Sequence, residues 1–251
     1  MALATCLTTS VVWANEDRAL RDTPALASSD EGLAWKATFA NYRDSVSQSN
    51  ARDINLRGNN QDTRFWLGYY EDPAVFSQTR AGVERATSLG NYGQLISSVQ
   101  VASRGFVGGS LTWDGKQEGV EGLSPLLGWG RTNVKPYYNL NFDPNDSVLW
   151  GGTYSQRNLG QLALYQIFDD RLKTGQRVTH LVWRGKGMGG VGLTVDMFER
   201  SGASDVGEPV VKGNGLAVTA ELQGYFVRVA YDQKANFTEA NITRLAVGFR
   251  F

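Results

Sequence analysis

The chain has 251 residues, with 29 glycines, 10 tyrosines and 7 tryptophans but only 6 prolines. Basic and acidic residues number 25 each, so there is no basic excess of the kind that marks nucleic-acid-binding domains. The single cysteine, Cys6, excludes an intrachain disulfide framework and any CxxC metal or redox motif. We therefore expect no nucleic-acid partner, no cofactor and no bound metal.

The first 32 residues differ in character from the rest of the chain. Residues 1–14, MALATCLTTSVVWA, resemble the apolar part and small-residue end of a secretory signal, but they lack a basic start. Either the chain begins within a longer signal, or this is an ordinary apolar N-terminus. Residues 15–32 are polar and show no alternation, which favours an N-terminal periplasmic extension. No later segment approaches the run of about 18 apolar residues that a membrane helix requires.

From residue 33 onward, short segments alternate apolar with small or polar residues, and clusters of Gly, Asn, Asp or Ser separate them. In the last segment, 242–251, Leu245 and Val247 fall on one face, while Arg244 and Arg250 fall on the other. Segments 191–199, 216–222 and 225–232 repeat this arrangement. The period is that of β-strands, and it predicts an all-β chain over residues 33–251.

The pattern predicts fourteen strands, arranged as one closed antiparallel barrel. The predicted strands are 33–42, 64–71, 79–87, 94–103, 106–114, 123–130, 134–142, 147–155, 161–169, 177–184, 191–199, 216–222, 225–232 and 242–251. Tight connections (103–105, 186–189 and 223–224) are expected on one side and longer ones (44–62, 115–122, 201–214 and 233–241) on the other. Pro136 removes a ladder donor from segment 134–142, so twelve strands remain an alternative.

A soluble β-sandwich or lipocalin-like barrel would show the same alternation, with its apolar face inward. Two features favour the membrane version. Aromatic residues gather near the segment ends, as the interface girdles of membrane barrels require, and the chain ends on a strand. A transmembrane barrel puts the charged face in the lumen, because charge on the lipid face is costly.

The last ten residues resemble the C-terminal signature of bacterial outer-membrane β-barrel proteins. The features that match are the final aromatic Phe251, a second aromatic, Phe249, and the polar Arg244. The position that is commonly glycine in that superfamily is Ala246 here, with Gly248 nearby. The resemblance implies an outer-membrane location, contact with outer-membrane lipid, and insertion by the barrel assembly machinery, which reads Phe249 and Phe251.

Strand parity predicts which charged side chains line the lumen. They are Lys36, Arg64, Arg80, Glu84, Lys135, Asp169, Arg184, Asp196, Glu221, Arg228, Arg244 and Arg250. The basic members come mainly from five adjacent predicted strands, and the acidic ones mainly from the strands before them. Two walls of unlike charge would favour the passage of anions. The alternative is that these charges pair across a narrow lumen and plug it.

The only histidine, His180, shares the lumen face with Arg184. A barrel lipase or protease could use it as a general base, but no GxSxG motif accompanies it. The sequence favours a monomeric porin-like channel, rather than an enzyme, for passive passage of small polar or anionic solutes such as acidic sugars. A barrel enzyme that uses His180 and a plugged structural barrel are the alternatives.

Overall fold

The computed structural model describes residues 33–73, 76–117, 119–138 and 142–251. The signal-like segment 1–14 and the extension 15–32 lie outside the described residues. Apart from strands, the described part contains four single 3₁₀ turns. It has no helix that is long and apolar enough to cross a membrane.

Fourteen antiparallel strands form a closed barrel, in which each strand pairs with its neighbours in the chain and the first pairs with the last. The strands are β1 (Ala34–Asp44), β2 (Asn50–Asn60), β3 (Thr63–Asp72), β4 (Phe76–Ser88), β5 (Gln94–Ala102), β6 (Phe106–Asp114), β7 (Gly122–Thr132), β8 (Ser147–Gln156), β9 (Gly160–Asp169), β10 (Arg177–Lys186), β11 (Gly192–Gly202), β12 (Val211–Leu222), β13 (Tyr225–Asp232) and β14 (Ile242–Arg250). The predicted fold class and strand number are confirmed.

Two of the predicted elements are nevertheless wrong. Residues 50–60, predicted as part of the loop 44–62, form β2, whose inward face is polar (Asp53, Asn55) and whose sequence is therefore poor in apolar residues. Residues 134–142, predicted as a strand, form no strand in their described part. Pro136 lacks a backbone donor there, and Val134 and Phe142 take positive φ angles of 59° and 57°. The two errors cancel in the strand count.

The missed strand also reverses part of the predicted topology. We call the end of the barrel that holds Ala34 and Arg250 the terminal end, and the opposite end the loop end. The described connecting residues at the terminal end are 61–62, 89–93, 115–117, 119–121, 157–159, 187–191 and 223–224. Those at the loop end are 45–49, 73, 103–105, 133–138, 142–146, 170–176, 203–210 and 233–241. The prediction had placed 103–105 and 115–122 at the wrong ends, because it counted one strand too few before them.

The outer face of the barrel is apolar at mid-height. Phe39, Val247 and Val227 lie side by side on β1, β14 and β13, and each is nearly half exposed. Aromatic side chains lie nearer the rims, as in the Tyr225–Phe249 pair at the terminal end, whose ring centroids are 6.4 Å apart. An apolar belt between aromatic rims matches the profile of a lipid bilayer.

The outer belt yields a depth-dependent prediction about stability. Val247→Arg places a charge at mid-height on the outer face and should lower the free energy of unfolding in lipid vesicles by about 2 to 4 kcal/mol. Thr243→Arg, on the same face of β14 but near the loop end, should cost about 0 to 1 kcal/mol. Denaturant titration of the folded protein in vesicles measures both. Equal losses for the two variants would contradict a lipid-facing belt.

Candidate functional site: the barrel lumen

The interior of the barrel is rich in charged side chains, supplied by alternate residues of the strands. Eleven of the twelve predicted residues lie on the inward face of a strand, namely Lys36, Arg64, Arg80, Glu84, Asp169, Arg184, Asp196, Glu221, Arg228, Arg244 and Arg250. The exception is Lys135, which is exposed on the loop that follows β7. The part that these residues play in solute passage stays a prediction.

A deeply buried ion pair joins Arg80 on β4 to Asp53 on β2, and both side chains are almost completely inaccessible. Arg80 crosses the intervening strand β3 at Gly68, where a Cβ atom would lie 2.9 Å from the arginine Nε. Glycine at this position therefore gives the guanidinium room to lie against the wall. Because β2 was missed, Asp53 had no place in the predicted lumen.

Two further ion pairs link neighbouring or nearby strands toward the terminal end. Arg64 on β3 contacts Glu84 on β4 at 3.2 Å, and Arg250 on β14 contacts Glu221 on β12 at 2.8 Å. Acidic groups are thus interspersed among the arginines. The predicted separation into a basic and an acidic wall is wrong in this respect, since Asp53 and Glu84 lie within the stretch that was expected to be basic.

Between β7 and β8, the described residues 133–138 and 142–146 enter the lumen, and we call them the lumen loop. Its base is fixed by Asp146, which accepts a hydrogen bond of 2.7 Å from Thr132 and pairs with Arg171 at 2.9 Å. From there the loop crosses toward β1, β3 and β4 on one side and β10 and β11 on the other.

One side of the lumen loop is bound to β4 by a reciprocal pair of hydrogen bonds. The backbone N–H of Tyr138 donates to Oε1 of Gln78 at 2.7 Å, and Nε2 of Gln78 donates to the carbonyl oxygen of Pro136 at 2.9 Å. Gln78 is buried, so these bonds form away from solvent. A single side chain thereby satisfies two backbone groups of the loop.

The same stretch of the loop carries an aromatic cluster into the loop half of the lumen. Tyr138 stacks on Tyr70 with a centroid separation of 3.4 Å, and it meets Tyr42 edge-on at 5.6 Å and Phe142 at 5.8 Å. Burial raises the pKa of the Tyr138 hydroxyl well above its usual value, so this side chain stays neutral. The cluster gives the loop an apolar anchor inside a charged barrel.

On the opposite side, His180 on β10 joins the loop to the wall. Its Nδ1 lies 2.9 Å from Asp196 on β11, and its Nε2 lies 3.3 Å from Asp143 on the loop. Its ring is stacked on Tyr165 at 4.8 Å. Because each ring nitrogen faces a carboxylate, neither is placed to take a proton from a nucleophile, and the arrangement fits a structural link better than a general base.

Arg200 on β11 extends this contact toward the loop end. It is fully buried, donates to the carbonyl oxygen of Phe142 at 3.4 Å and lies 3.6 Å from Asp232 on β13. Arg200 and Asp232 are absent from the predicted site residues, although Asp232 lies on the same face of segment 225–232 as Arg228. The parity of β11, on which Arg200 follows Asp196 and Phe198, would have been enough to find Arg200.

The terminal half of the lumen holds two adjoining cavities. The inner chamber, of about 100 Å³, lies at mid-height and is lined by residues of β1, β2 and β10–β14. The outer chamber, of about 470 Å³, is bordered by Lys116 and residues 119–121 on one side and by Arg157 and Asn158 on another. The two share Arg184, Thr194, Thr219 and Glu221. Within the described residues, no group of His, Cys, Asp and Glu side chains has the arrangement of a metal site.

Comparison with known proteins gives matches in structure alone. No protein-family model matches the chain, and no curated protein sequence matches it. Among solved structures, the outer membrane protein Omp33 of Acinetobacter baumannii aligns with a TM-score of 0.56 at 9% identity, covering 87% of this chain and 98% of that one. The NanC porin gives 0.47 at 9% identity, covering 85% and 98%, and a triple mutant of the Rhodopseudomonas blastica porin gives 0.48 at 12%, covering 88% and 99%.

The alignment with Omp33 shows that the two proteins share a barrel fold over 87% of this chain and 98% of that one. The resemblance of the last ten residues to outer-membrane barrel proteins is thus accompanied by a similar architecture. At such low identity no functional residue can be carried across from that protein to this one.

The link through His180 can be tested by substitution. His180→Ala leaves Asp143 and Asp196 buried without their shared partner, and we expect it to lower the free energy of unfolding by about 3 to 5 kcal/mol. It should also release the lumen loop to added protease in the otherwise folded barrel. Thr179→Ala, the adjacent residue on the outer face, is the matched control and should change neither quantity much. An unchanged cleavage rate in His180→Ala would show that this link does not hold the loop.

Proposed function

We propose that the protein is an outer-membrane channel for the passive passage of small polar or anionic solutes such as acidic sugars. The observation that carries the proposal is a closed barrel with an apolar outer belt around a terminal half-lumen lined by Lys36, Arg57 and Arg228. In a low-dielectric wall these cations favour anions more strongly than they would on an open surface. Passive passage requires no cofactor and no chemical step.

The location and assembly of the barrel form part of the same proposal. The terminal end would face the periplasm, with the extension 15–32 on that side, and the assembly machinery would insert the barrel into outer-membrane lipid. A monomer suffices, since the antiparallel pairing of β1 with β14 closes the barrel within one chain. A secretory signal at residues 1–14 would direct the chain into the secretory path that leads to the outer membrane.

A second candidate function is a plugged structural barrel. It is favoured by the lumen loop, whose aromatic cluster and buried contacts occupy the loop half of the lumen. The two candidates differ in whether the lumen loop leaves or opens a path for ions. A barrel enzyme that uses His180 receives less support, because both ring nitrogens are directed at carboxylates.

Planar bilayer recordings test the channel. We expect the wild type to conduct and to show a reversal potential of anion-preferring sign in a salt gradient. The double variant Lys36→Glu/Arg228→Glu should shift that potential toward cations, because both side chains line the inner chamber and are only partly buried. The double variant Arg177→Glu/Lys212→Glu makes the same change of charge on the outer face and should leave the potential nearly unchanged.

The same recordings separate the second candidate. If the wild type is silent while a variant with the lumen loop shortened conducts, the barrel is plugged as it stands. If the wild type conducts and both double variants keep its reversal potential, the protein is a channel. The assignment of its selectivity to the inner chamber is then wrong.

The C-terminal residue offers a test of assembly. Phe251 is well exposed, lies 5.3 Å from Phe249 between ring centroids, and exchanges backbone hydrogen bonds of 2.8 and 3.0 Å with Trp35. Deleting it should strongly reduce the amount of heat-modifiable protein in outer membranes. Arg250→Ala, which removes an inward side chain, is the control and should have a much smaller effect. Equal accumulation of the deletion and the wild type would contradict the proposed signal.

A further inference from the structure

We propose that the outer face of β1 and β2 binds one membrane lipid with an anionic phosphate headgroup, in the leaflet at the loop end. Four exposed polar side chains form the site, and we call them the outer basic patch: Asn41 and Arg43 on β1, and Asn50 and Arg52 on β2. This inference goes beyond the proposed function, because it concerns the outside of the barrel and holds whether or not the lumen conducts.

The register of β1 and β2 brings the four side chains into one compact block. Asn41 lies opposite Arg52, and Arg43 lies opposite Asn50. Side chains opposite each other on neighbouring strands have Cβ atoms about 5 Å apart, and long side chains on the diagonal still reach each other. The two guanidinium groups can therefore approach the same headgroup, with the two amide groups beside them as further hydrogen-bond donors.

The outer basic patch extends into the part of the outer face that lies in lipid. Phe39 and Ile54 are opposite each other at mid-height, and Asn41 and Arg52 form the next row toward the loop end. That row is two residues, or about 7 Å along the strand, from mid-height. The apolar band of a membrane barrel is about 25 Å tall, so it extends roughly 12 Å to each side of mid-height. Arg52 therefore projects from a backbone position within the band.

The same row is apolar on the two strands before β1 in the ring. Leu245 on β14 lies opposite Asn41, Val229 on β13 lies opposite Leu245, and both are about half exposed. The change to polar side chains is thus local to β1 and β2. A cation on the lipid face is costly unless its long side chain reaches the headgroup level. A lipid phosphate that lies against the patch supplies the opposite charge at that level.

The charge of this part of the outer face favours an anion. Glu71 on β3 lies opposite Arg52, so that two arginines are balanced by one glutamate across the three strands. Arg43 donates a hydrogen bond of 3.4 Å to Oε1 of Gln48, a neutral side chain that leaves the charge of the guanidinium uncancelled. Arginine presents its N–H groups in a planar fork that fits the oxygen atoms of a phosphate group.

The surface next to the patch determines that the occupant is a lipid. Toward the terminal end, the outer face continues with Phe39, Ile54 and Leu56, which are all exposed. A cationic patch at one end of an apolar surface matches an amphiphile, whose headgroup contacts the arginines and whose acyl chains lie along the apolar side chains. Inorganic phosphate has no group that would use the apolar part.

Native mass spectrometry of the folded, full-length barrel in nonionic detergent micelles tests the site and counts the bound lipids. The probes are dioctanoyl phosphatidylglycerol, which is anionic, and dioctanoyl phosphatidylcholine, which has the same acyl chains and no net charge. We expect one phosphatidylglycerol to bind saturably, about tenfold more tightly than phosphatidylcholine. Equal affinity for the two lipids would overturn the proposal, as would displacement of phosphatidylglycerol by an equal concentration of inorganic phosphate.

Variants locate the site on the outer face. Arg43→Gln/Arg52→Gln should weaken the binding of phosphatidylglycerol about tenfold. The matched control is Arg177→Gln/Lys212→Gln, which removes two cations that flank Ser201 on the outer face of β10–β12, and it should leave the affinity nearly unchanged. Heat-modifiable migration on gels shows that each variant is folded. Equal weakening in the two double variants would indicate attraction to the overall charge of the barrel and overturn the site.

A gain of affinity gives a readout that damage to the fold cannot produce. Glu71→Gln removes the acidic neighbour of Arg52, and it should tighten the binding of phosphatidylglycerol about threefold. Unchanged or weaker binding in this variant would contradict contact between the headgroup and Arg52.

The mass spectra also detect the competing occupant, a second copy of the chain. A dimer that is lost in Arg43→Gln/Arg52→Gln, with unchanged lipid binding, would overturn the proposal and identify the patch as an interface between copies. The result is independent of the channel, since lipid binding is measured without conductance and bilayer recordings do not depend on the patch.

Discussion

Pairing of β1 with β14 is the constraint on which the rest of the structure depends. Lys36 faces Arg250 across this seam, and Asp44 faces Ile242, so the first and last strands are in register along their whole length. Once the sheet is closed, every strand has two partners and no edge is left open. Closure also fixes which alternate side chains point inward, since the parity of each strand is tied to that of its neighbours around the ring.

The two halves of the lumen differ in what occupies them. In the loop half, the lumen loop brings in tyrosine and phenylalanine rings and is tied to the wall through Gln78, His180 and Arg200. In the terminal half, the wall charges border open chambers. The boundary between the halves is Tyr42, which contributes to the aromatic cluster and to the inner chamber at once.

The buried charges of the loop half explain why this loop stays inside. An ion such as Arg80 or Arg200 in the interior is costly unless it is paired and hydrogen-bonded. The wall supplies carboxylates through Asp53 and Asp232, and the loop supplies carbonyl oxygens through Tyr138 and Phe142. Loop and wall therefore depend on each other, because removal of the loop would take hydrogen-bond partners from charges that remain inside the barrel.

The sequence by itself determined the barrel, the parity of nearly all its strands and the inward direction of charges such as Arg228 and Arg244. It could do so because lipid-facing positions require apolar side chains and lumen-facing positions accept polar ones. These positions alternate along each strand, so the sequence of the strand shows the alternation. It did not distinguish β2 from a loop, because a strand with Asp53 and Asn55 on its inner face carries too few apolar residues to be recognised locally.

Only the tertiary structure decided that the lumen loop lies inside the barrel, that Asp53 pairs with Arg80, and that His180 bridges two carboxylates. Each of these contacts joins residues far apart in the chain, and their distance depends on where β4, β10 and the lumen loop lie around the closed ring. The local pattern of a sequence specifies which way a side chain points. Which partner it meets across a lumen is set by the circumference of the sheet and by the loop that fills it.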